Sequence, residues 1–221
     1  MKKLVILGGS GIGMIAANIA MESGEYEVSG FLNDVVEVGN KIGKYNKIPV
    51  IGTTDDIQYY LDNGYYFFIA YVGLQKEKET FEKIEKFEIP REKYATLIHR
   101  TAIIPQGFCN IGYGVLMASL SQISPDTTIG DNCILLGNSF IGHDSIMKRF
   151  AHLASNSVVG ANVIVGKGVH VGTNSTIREK VNIGDFSLIG SGAVVLDDVE
   201  ENTVVVGNPA KVLYKRNNDN V

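Results

Sequence analysis

The sequence predicts a chain in two parts: a small α/β unit with a parallel sheet, then a solenoid of short β-strands. Three observations predict it. A large aliphatic residue recurs every six positions through the second half, a glycine cluster follows the first apolar strand directly, and strands alternate with helices before residue 98.

The six-residue period decides the second half. Six-residue steps from Ile111 land on Met117, Ile123, Ile129, Leu135, Ile141, Met147, Leu153, Val159, Val165, Val171, Ile177, Ile183, Ile189 and Val195. Chance at this composition would make roughly half of such positions apolar, or fewer. The next residue is glycine at 112, 130, 142, 160, 166, 172, 184 and 190, and the fourth after each aliphatic is small or β-branched, from Val115 to Val199. Such a period is neither the 3.6 of a helix nor the 2 of a plain strand. It fits a two-residue strand and a corner, repeated, with one aliphatic turned inward per face. Glycine there is expected to supply backbone conformations closed to other residues. Three faces make an 18-residue coil, and the repeat supplies five coils. Neighbouring coils then pair as parallel strands about 4.8 Å apart and bury their cores on one another.

In the first half, residues 3–7 read as a short apolar strand, followed by Gly8, Gly9, Ser10, Gly11, Ile12 and Gly13. A helical pattern runs through Ile15, Ala16, Ile19 and Ala20. A second strand, 26–32, ends at Asn33 and Asp34; Thr53, Thr54, Asp55 and Asp56 mark a helix start. An apolar strand at 65–71, a charged helix near 76–87 and a strand at 94–98 complete the series. Strands alternating with helices indicate a parallel sheet, here of Rossmann-like type. Glycines after the first strand let backbone N–H groups approach a phosphate at a helix N-terminus. The strict G-x-G-x-x-G spacing fails, because Met14 stands where the last glycine would be. A tight β–α turn is the alternative reading of the loop, and a polar strand end that of Asn33-Asp34.

Composition sets the remaining limits. Net charge is −4 over 221 residues, so no broad cationic surface is expected for nucleic acid or anionic lipid. Cys109 and Cys133 form neither a metal-binding spacing nor a disulfide framework. Met1-Lys2-Lys3 followed by an apolar run imitates a signal peptide, but four glycines in six residues suit a strand and turn instead. No stretch is apolar for long enough to cross a bilayer. A soluble, cytoplasmic protein is the expectation.

Taken together, the glycine loop, the uninterrupted solenoid and Val204-Val205-Val206-Gly207-Asn208-Pro209-Ala210-Lys211-Val212-Leu213 resemble one family. These are the hexapeptide-repeat sugar acyltransferases, which include sialic-acid O-acetyltransferases and the nucleotide-amino-sugar N-acetyltransferases of the bacillosamine and perosamine pathways. Phe31-Leu32-Asn33-Asp34 resembles the family's F-L-D-D motif, Tyr94-Ala95-Thr96-Leu97-Ile98-His99 its inter-domain turn, and His143-Asp144 with His152 its catalytic stretch. The resemblance implies a left-handed β-helix, with residues 1–97 as a nucleotide-sugar-binding domain and 98–221 as an acyltransferase domain and tail. It implies acetyl-CoA as co-substrate and no metal. His152, Ala161, Thr173 and Ser191 then line acetyl-CoA between subunits of a homotrimer. Gly8, Gly9, Ser10, Gly11, Ile12 and Gly13 would meet the pyrophosphate, and Asn33 and Asp34 the base or ribose. Two departures stand out: Ile12 replaces a frequent histidine, and Leu136-Gly137 replaces a common Asn-Thr.

Acyl transfer from a thioester needs a nucleophile relieved of its proton and a donor for the developing oxyanion. An imidazole titrates near neutrality and suits the first task. His143 is the expected base and Asp144 its orienting partner, a contact that requires a bend between adjacent residues. Nine residues are half a coil, so His143 and His152 should lie on different faces and share a site only across a subunit boundary. His170, one coil beyond His152, should stack on it and reads as a plain surface residue, with a place lining the cofactor trough as the alternative. The readings in competition are transfer to an amino group of a nucleotide-linked sugar, preferred for the glycine loop and Asn33-Asp34; O-transfer to a sialic-acid-like sugar; a zinc enzyme on the same solenoid, which the histidine spacing disfavours; and a non-catalytic nucleotide-sugar-binding protein.

Overall fold

The computed structural model describes residues 1–71 and 76–216. Its first part is a five-stranded sheet in the order β3-β4-β2-β1-β5, with β1 Lys2–Leu7, β2 Tyr26–Leu32, β3 Lys41–Ile42, β4 Ile48–Gly52 and β5 Tyr66–Ile69. Strands β1, β2, β4 and β5 run parallel, and only β3 is antiparallel to its neighbour. Helix α1, Ile12–Ser23, follows the glycine loop, buries Ala16, Ala17, Ile19 and Ala20, and stops at Gly24 in the left-handed conformation. Thr53 opens the next turn as foreseen: its hydroxyl accepts from Asp55 N, and Asp56 bonds back to the Thr53 N–H in a capping box. Helix α2 is Ile57–Asp62 and α3 is Glu77–Glu85.

Two short strands have no clear sequence signal: β3, at the edge of the sheet, and β4 beside it, which pairs with both β3 and β2 and contains Pro49. The strand expected at 94–98 does not join the first sheet as a whole. Tyr94 makes only an isolated bridge to Phe67, whereas β6, Leu97–Ile98, pairs with Leu116–Met117 of the solenoid. The linker therefore starts the second part rather than finishing the first.

The solenoid follows the repeat closely. Fifteen two-residue strands, from Asn110–Ile111 to Val194–Val195, fall into three parallel sheets, each pairing residues eighteen apart, as Ile134 pairs with His152. Face one carries the strands ending at Ile111, Ile129, Met147, Val165 and Ile183; face two those ending at Met117, Leu135, Leu153, Val171 and Ile189; face three the remaining five. Every inward aliphatic from Met117 to Val195 is at most 2% exposed, and only Ile111, on the first coil, is partly covered. Burying each such side chain contributes about 1.5–3 kcal/mol. The small fourth position also behaves as read: Ser121, Ser139, Ser157 and Ser175 are buried and donate their hydroxyls to corner carbonyls.

Corner chemistry differs from expectation. The hexapeptide glycines do not carry the unusual backbone angle; that falls two residues later. Gly114, Leu120, Asp126, Asn132, Asn138, Asp144, Phe150, Asn156, Asn162, Gly168, Asn174, Lys180, Phe186 and Gly192 all have φ between 56 and 70°. Asn, Asp and Gly, the residues that tolerate this region, fill most of these sites. The hexapeptide glycines serve close approach instead. A Cβ on Gly142 would lie 2.6 Å from Ala161 N, so the next coil leaves it no room.

The two parts share a core. Leu116 and Ile134, on the outer side of face two, pack with Leu97 of the linker and with Ala16, Ala20 and Phe68 of the first part. Farther along the same face, α3 lies on the solenoid. Phe81 inserts between Phe150 and Phe186, with ring centroids 5.2 and 5.8 Å away and edge-on geometry. Gly168 occupies the corner between those two phenylalanines, and a Cβ there would meet the Phe186 ring at 2.7 Å. Glu85 pairs with Arg149 at 2.7 Å and Arg91 grips Asp131 through two bonds of 2.6 and 2.9 Å.

Candidate active site

The left-handed corner between faces three and one creates the His143–Asp144 contact. Asp144 has φ 57°, which turns its side chain back over the preceding residue, and Oδ2 lies 2.5 Å from His143 Nδ1. This is the bend that adjacent residues on a flat strand lack. Both side chains stand more than half exposed. The corner itself is fixed: His143 O accepts from Asn162 N in the next coil at 2.9 Å, and Ser145 Oγ donates to Gly160 O at 3.1 Å. A carboxylate on Nδ1 selects the tautomer whose Nε2 lone pair faces outward. Such a dyad can take a proton from a nucleophile.

His152 lies on face two, and the nine-residue spacing does put it on a different face from His143. There α3 covers it. His152 and His170 pair in register, their Nδ1 atoms 3.0 Å apart, and both are at least 92% buried. The surface role read for His170 is therefore corrected, because docking of the first part encloses that stretch of face two. Burial pushes both imidazoles toward the neutral form, His152 down to about 3 and His170 to about 4; His170 acts in the same sense on the first, and Arg216 on the second. Tyr71, Thr80, Phe81 and Ile84 line the small cavity above them, of about 20 Å³.

The other solenoid positions divide between two corners. Ala161 is stacked one coil beyond His143, whereas Thr173 and Ser191 stand at the corner between faces two and three. Face three separates the two groups within one chain. Gly137, of the Leu136-Gly137 departure, lies two coils before Thr173 on that second corner, and Leu136 packs against the first part.

At the C-terminal end of the first sheet, Gly8 takes φ 100° and donates to Leu32 O, tying the glycine loop to the end of β2. Gly9 faces Ile42 and Asn33, Ser10 stands exposed, and Gly11 opens α1, whose first turn closes through Gly13 N to Ser10 O; Ile12 is the first helical residue. Asn33 Oδ1 accepts from the backbone of Val35 and Val36. Asp34 accepts from Thr54 N at 2.8 Å, from Thr54 Oγ1 at 3.0 Å and from Lys83 Nζ at 2.7 Å. Burial pushes its carboxyl up, but the bonds from Lys83 and Thr54 outweigh this and hold it below the usual range. Lys83 had no place in the sequence reading, since one lysine on a charged helix carries no signal of what it faces.

Residues 3–84 match the family described as PglD N-terminal domain. Along nearly the whole chain, the fold superposes on the acetyltransferase domain of PglB from Neisseria gonorrhoeae FA1090, with a TM-score of 0.83 and 25% identity, covering 96% of this chain and 100% of that one. The chain has the fold of the hexapeptide-repeat acetyltransferases. The same PglB domain has also been solved in complex with acetyl coenzyme A. A His-to-Asn variant of perosamine N-acetyltransferase from Caulobacter crescentus, in complex with CoA and GDP-perosamine, shares the fold at 22% identity and TM-score 0.83, over 97% of this chain and 98% of that one. WeeI from Acinetobacter baumannii AYE does so at 20% and 0.76, over 96% and 100%. Curated protein sequences give no match. Among the described residues, no helix is long and apolar enough to cross a membrane.

Proposed function

We propose that the enzyme transfers the acetyl group of acetyl-CoA to the amino group of a nucleotide-linked amino sugar. The His143–Asp144 dyad carries this reading, and the ligands held by the PglB domain and by perosamine N-acetyltransferase support it. The amine attacks the thioester carbonyl, and His143 Nε2 takes the proton it sheds. Asp144, on Nδ1, stabilises the imidazolium so formed. The tetrahedral intermediate then expels the CoA thiolate, which recovers the proton from His143. No acylated side chain is required, because the thioester is already activated. The corner at Ala161, one coil beyond His143, supplies the backbone against which the thioester carbonyl rests.

The glycine loop takes the pyrophosphate and the end of β2 takes the nucleoside, the arrangement that suits a parallel sheet with a helix N-terminus behind its loop. Acetyl-CoA spans two subunits. One chain separates Ala161 from Thr173 and Ser191 across face three, so a second copy must bring the two corners together. Ile146 and Ile164, 42% and 37% exposed in adjacent coils of face one, form an apolar strip suited to that contact. A homotrimer closes such a head-to-tail interface.

The test is a panel of nucleotide-linked amino sugars with acetyl-CoA, following release of free thiol, with molar mass measured by light scattering. Thiol release that depends on the amino sugar supports the reading. A panel that yields none would sink it, and a fully active monomer would remove the shared site.

A further inference from the structure

We propose that Lys83 is a phosphate ligand of the nucleotide site, held on Asp34 until the nucleotide arrives. The inference rests on the nucleotide reading above and goes beyond it, by assigning a residue outside the loop.

The need comes from the loop itself. Gly8 to Gly13 offers backbone N–H groups and one hydroxyl, Ser10, but no charged side chain, and a pyrophosphate brings at least two negative charges. A compact ammonium is a suitable partner for such a charge. Helix geometry shows where one comes from. Phe81 and Glu85, four residues apart, share the side of α3 that meets Phe150, Phe186 and Arg149. Lys83, midway between them, projects the other way, toward the end of the sheet. Its Nζ lies 2.7 Å from Asp34 Oδ2 and 5.4 Å from the centroid of the Tyr71 ring. That ring in turn lies about 3.5 Å from where a Cβ on Gly8 would be. The ammonium thus stands between the end of β2 and the first glycine of the loop, with half of its side chain open to solvent.

Asp34 can release it. Its carboxylate keeps two other donors, the N–H and the hydroxyl of Thr54, so loss of Lys83 leaves no bare charge. An exposed ion pair contributes little to stability, whereas the same ammonium on a phosphate makes a charge-assisted bond. While the site is empty, the pair keeps Lys83 ordered beside the loop and offsets the carboxylate that would otherwise repel an incoming phosphate. Because α3 also docks on the solenoid, the exchange ties occupancy of the first part to the helix covering His152.

Calorimetric titration of uridine, guanosine and thymidine diphosphates, each beside its nucleoside, tests this on the wild type, Lys83→Met, Lys83→Arg and Asp34→Asn. For whichever diphosphate the wild type binds, Lys83→Met should raise its Kd about tenfold or more while leaving the nucleoside Kd unchanged. Lys83→Arg should restore most of the loss. Asp34→Asn should not raise the ratio of diphosphate Kd to nucleoside Kd, because the lysine it frees is the phosphate's partner. If the ion pair is only a brace, Lys83→Met and Asp34→Asn will weaken both ligands alike, and the proposal is overturned. Unchanged diphosphate binding by Lys83→Met overturns it too. A wild type that binds none of the diphosphates overturns the nucleotide reading, and this assignment with it.

Discussion

The Nδ1 atoms of His152 and His170 lie 3.0 Å apart, with ring centroids at 4.7 Å and planes crossed at 73°, beneath a helix from the other part of the chain. One nitrogen must donate and the other accept, so at most one ring can gain a proton without breaking the pair.

This pair predicts an acid-labile fold. Burial lowers His152 to about 3 and His170 to about 4, against about 6.5 for a free imidazole. Between those values the unfolded chain binds more protons than the folded one. The stability contributed is full above about pH 6.5 and is lost as pH falls toward 4 and then 3. Neighbours in the same column are aliphatic, Ile134 before the pair and Leu188 after it. The double variant His152→Leu/His170→Leu should therefore fold, and its melting temperature should fall less between pH 7 and 5. Parallel melting curves for parent and variant would refute the assignment.

Turnover depends on the dyad in a graded way. His143→Ala should lower kcat by about 10²–10⁴-fold with little change in KM, the usual contribution of a general base. Asp144→Asn should cost less, about 10–10²-fold, because the ring stays in place but loses its counter-charge. Asparagine already occupies the equivalent corner position at 132, 138, 156, 162 and 174, so this variant keeps its backbone. Steady-state kinetics beside a thermal melt checks both, and near-normal turnover by His143→Ala would defeat the base assignment.

Gly168→Ala should destabilise the docking of α3. Its Cβ would come within 2.7 Å of the Phe186 ring at a φ of 63°. Crowding and left-handed strain together cost about 1–3 kcal/mol. Faster proteolysis near α3, with the solenoid core still protected from hydrogen exchange, is the expected outcome; uniform loss of protection would contradict it.

Lys180→Asn should stabilise the solenoid. Lys180 holds φ 64° at the corner where Asp126, Asp144 and Asn162 stand in earlier coils. Relief of that strain is worth roughly 0.5–1 kcal/mol. A melting temperature at or below that of the parent would count against it.

The sequence by itself determined the coils. A residue pointing inward every sixth position can be satisfied only by a corner of constant size, so Ile141 and Met147 fix the place of His143 without further information. Local signals also sufficed for β1, α1, β2 and the capping box at Thr53, because each depends on contacts within a few residues. Tertiary structure decided which surfaces meet. Nothing local distinguishes His152, covered by α3, from Ile146, which faces solvent in the neighbouring strand. Likewise Lys83 and Asp34, 49 residues apart, are joined only because Phe81 anchors α3 in the gap that Gly168 leaves between two phenylalanines. Period and cap are properties of neighbouring residues, whereas burial and ion pairing belong to elements distant in the chain, and only their packing assigns them.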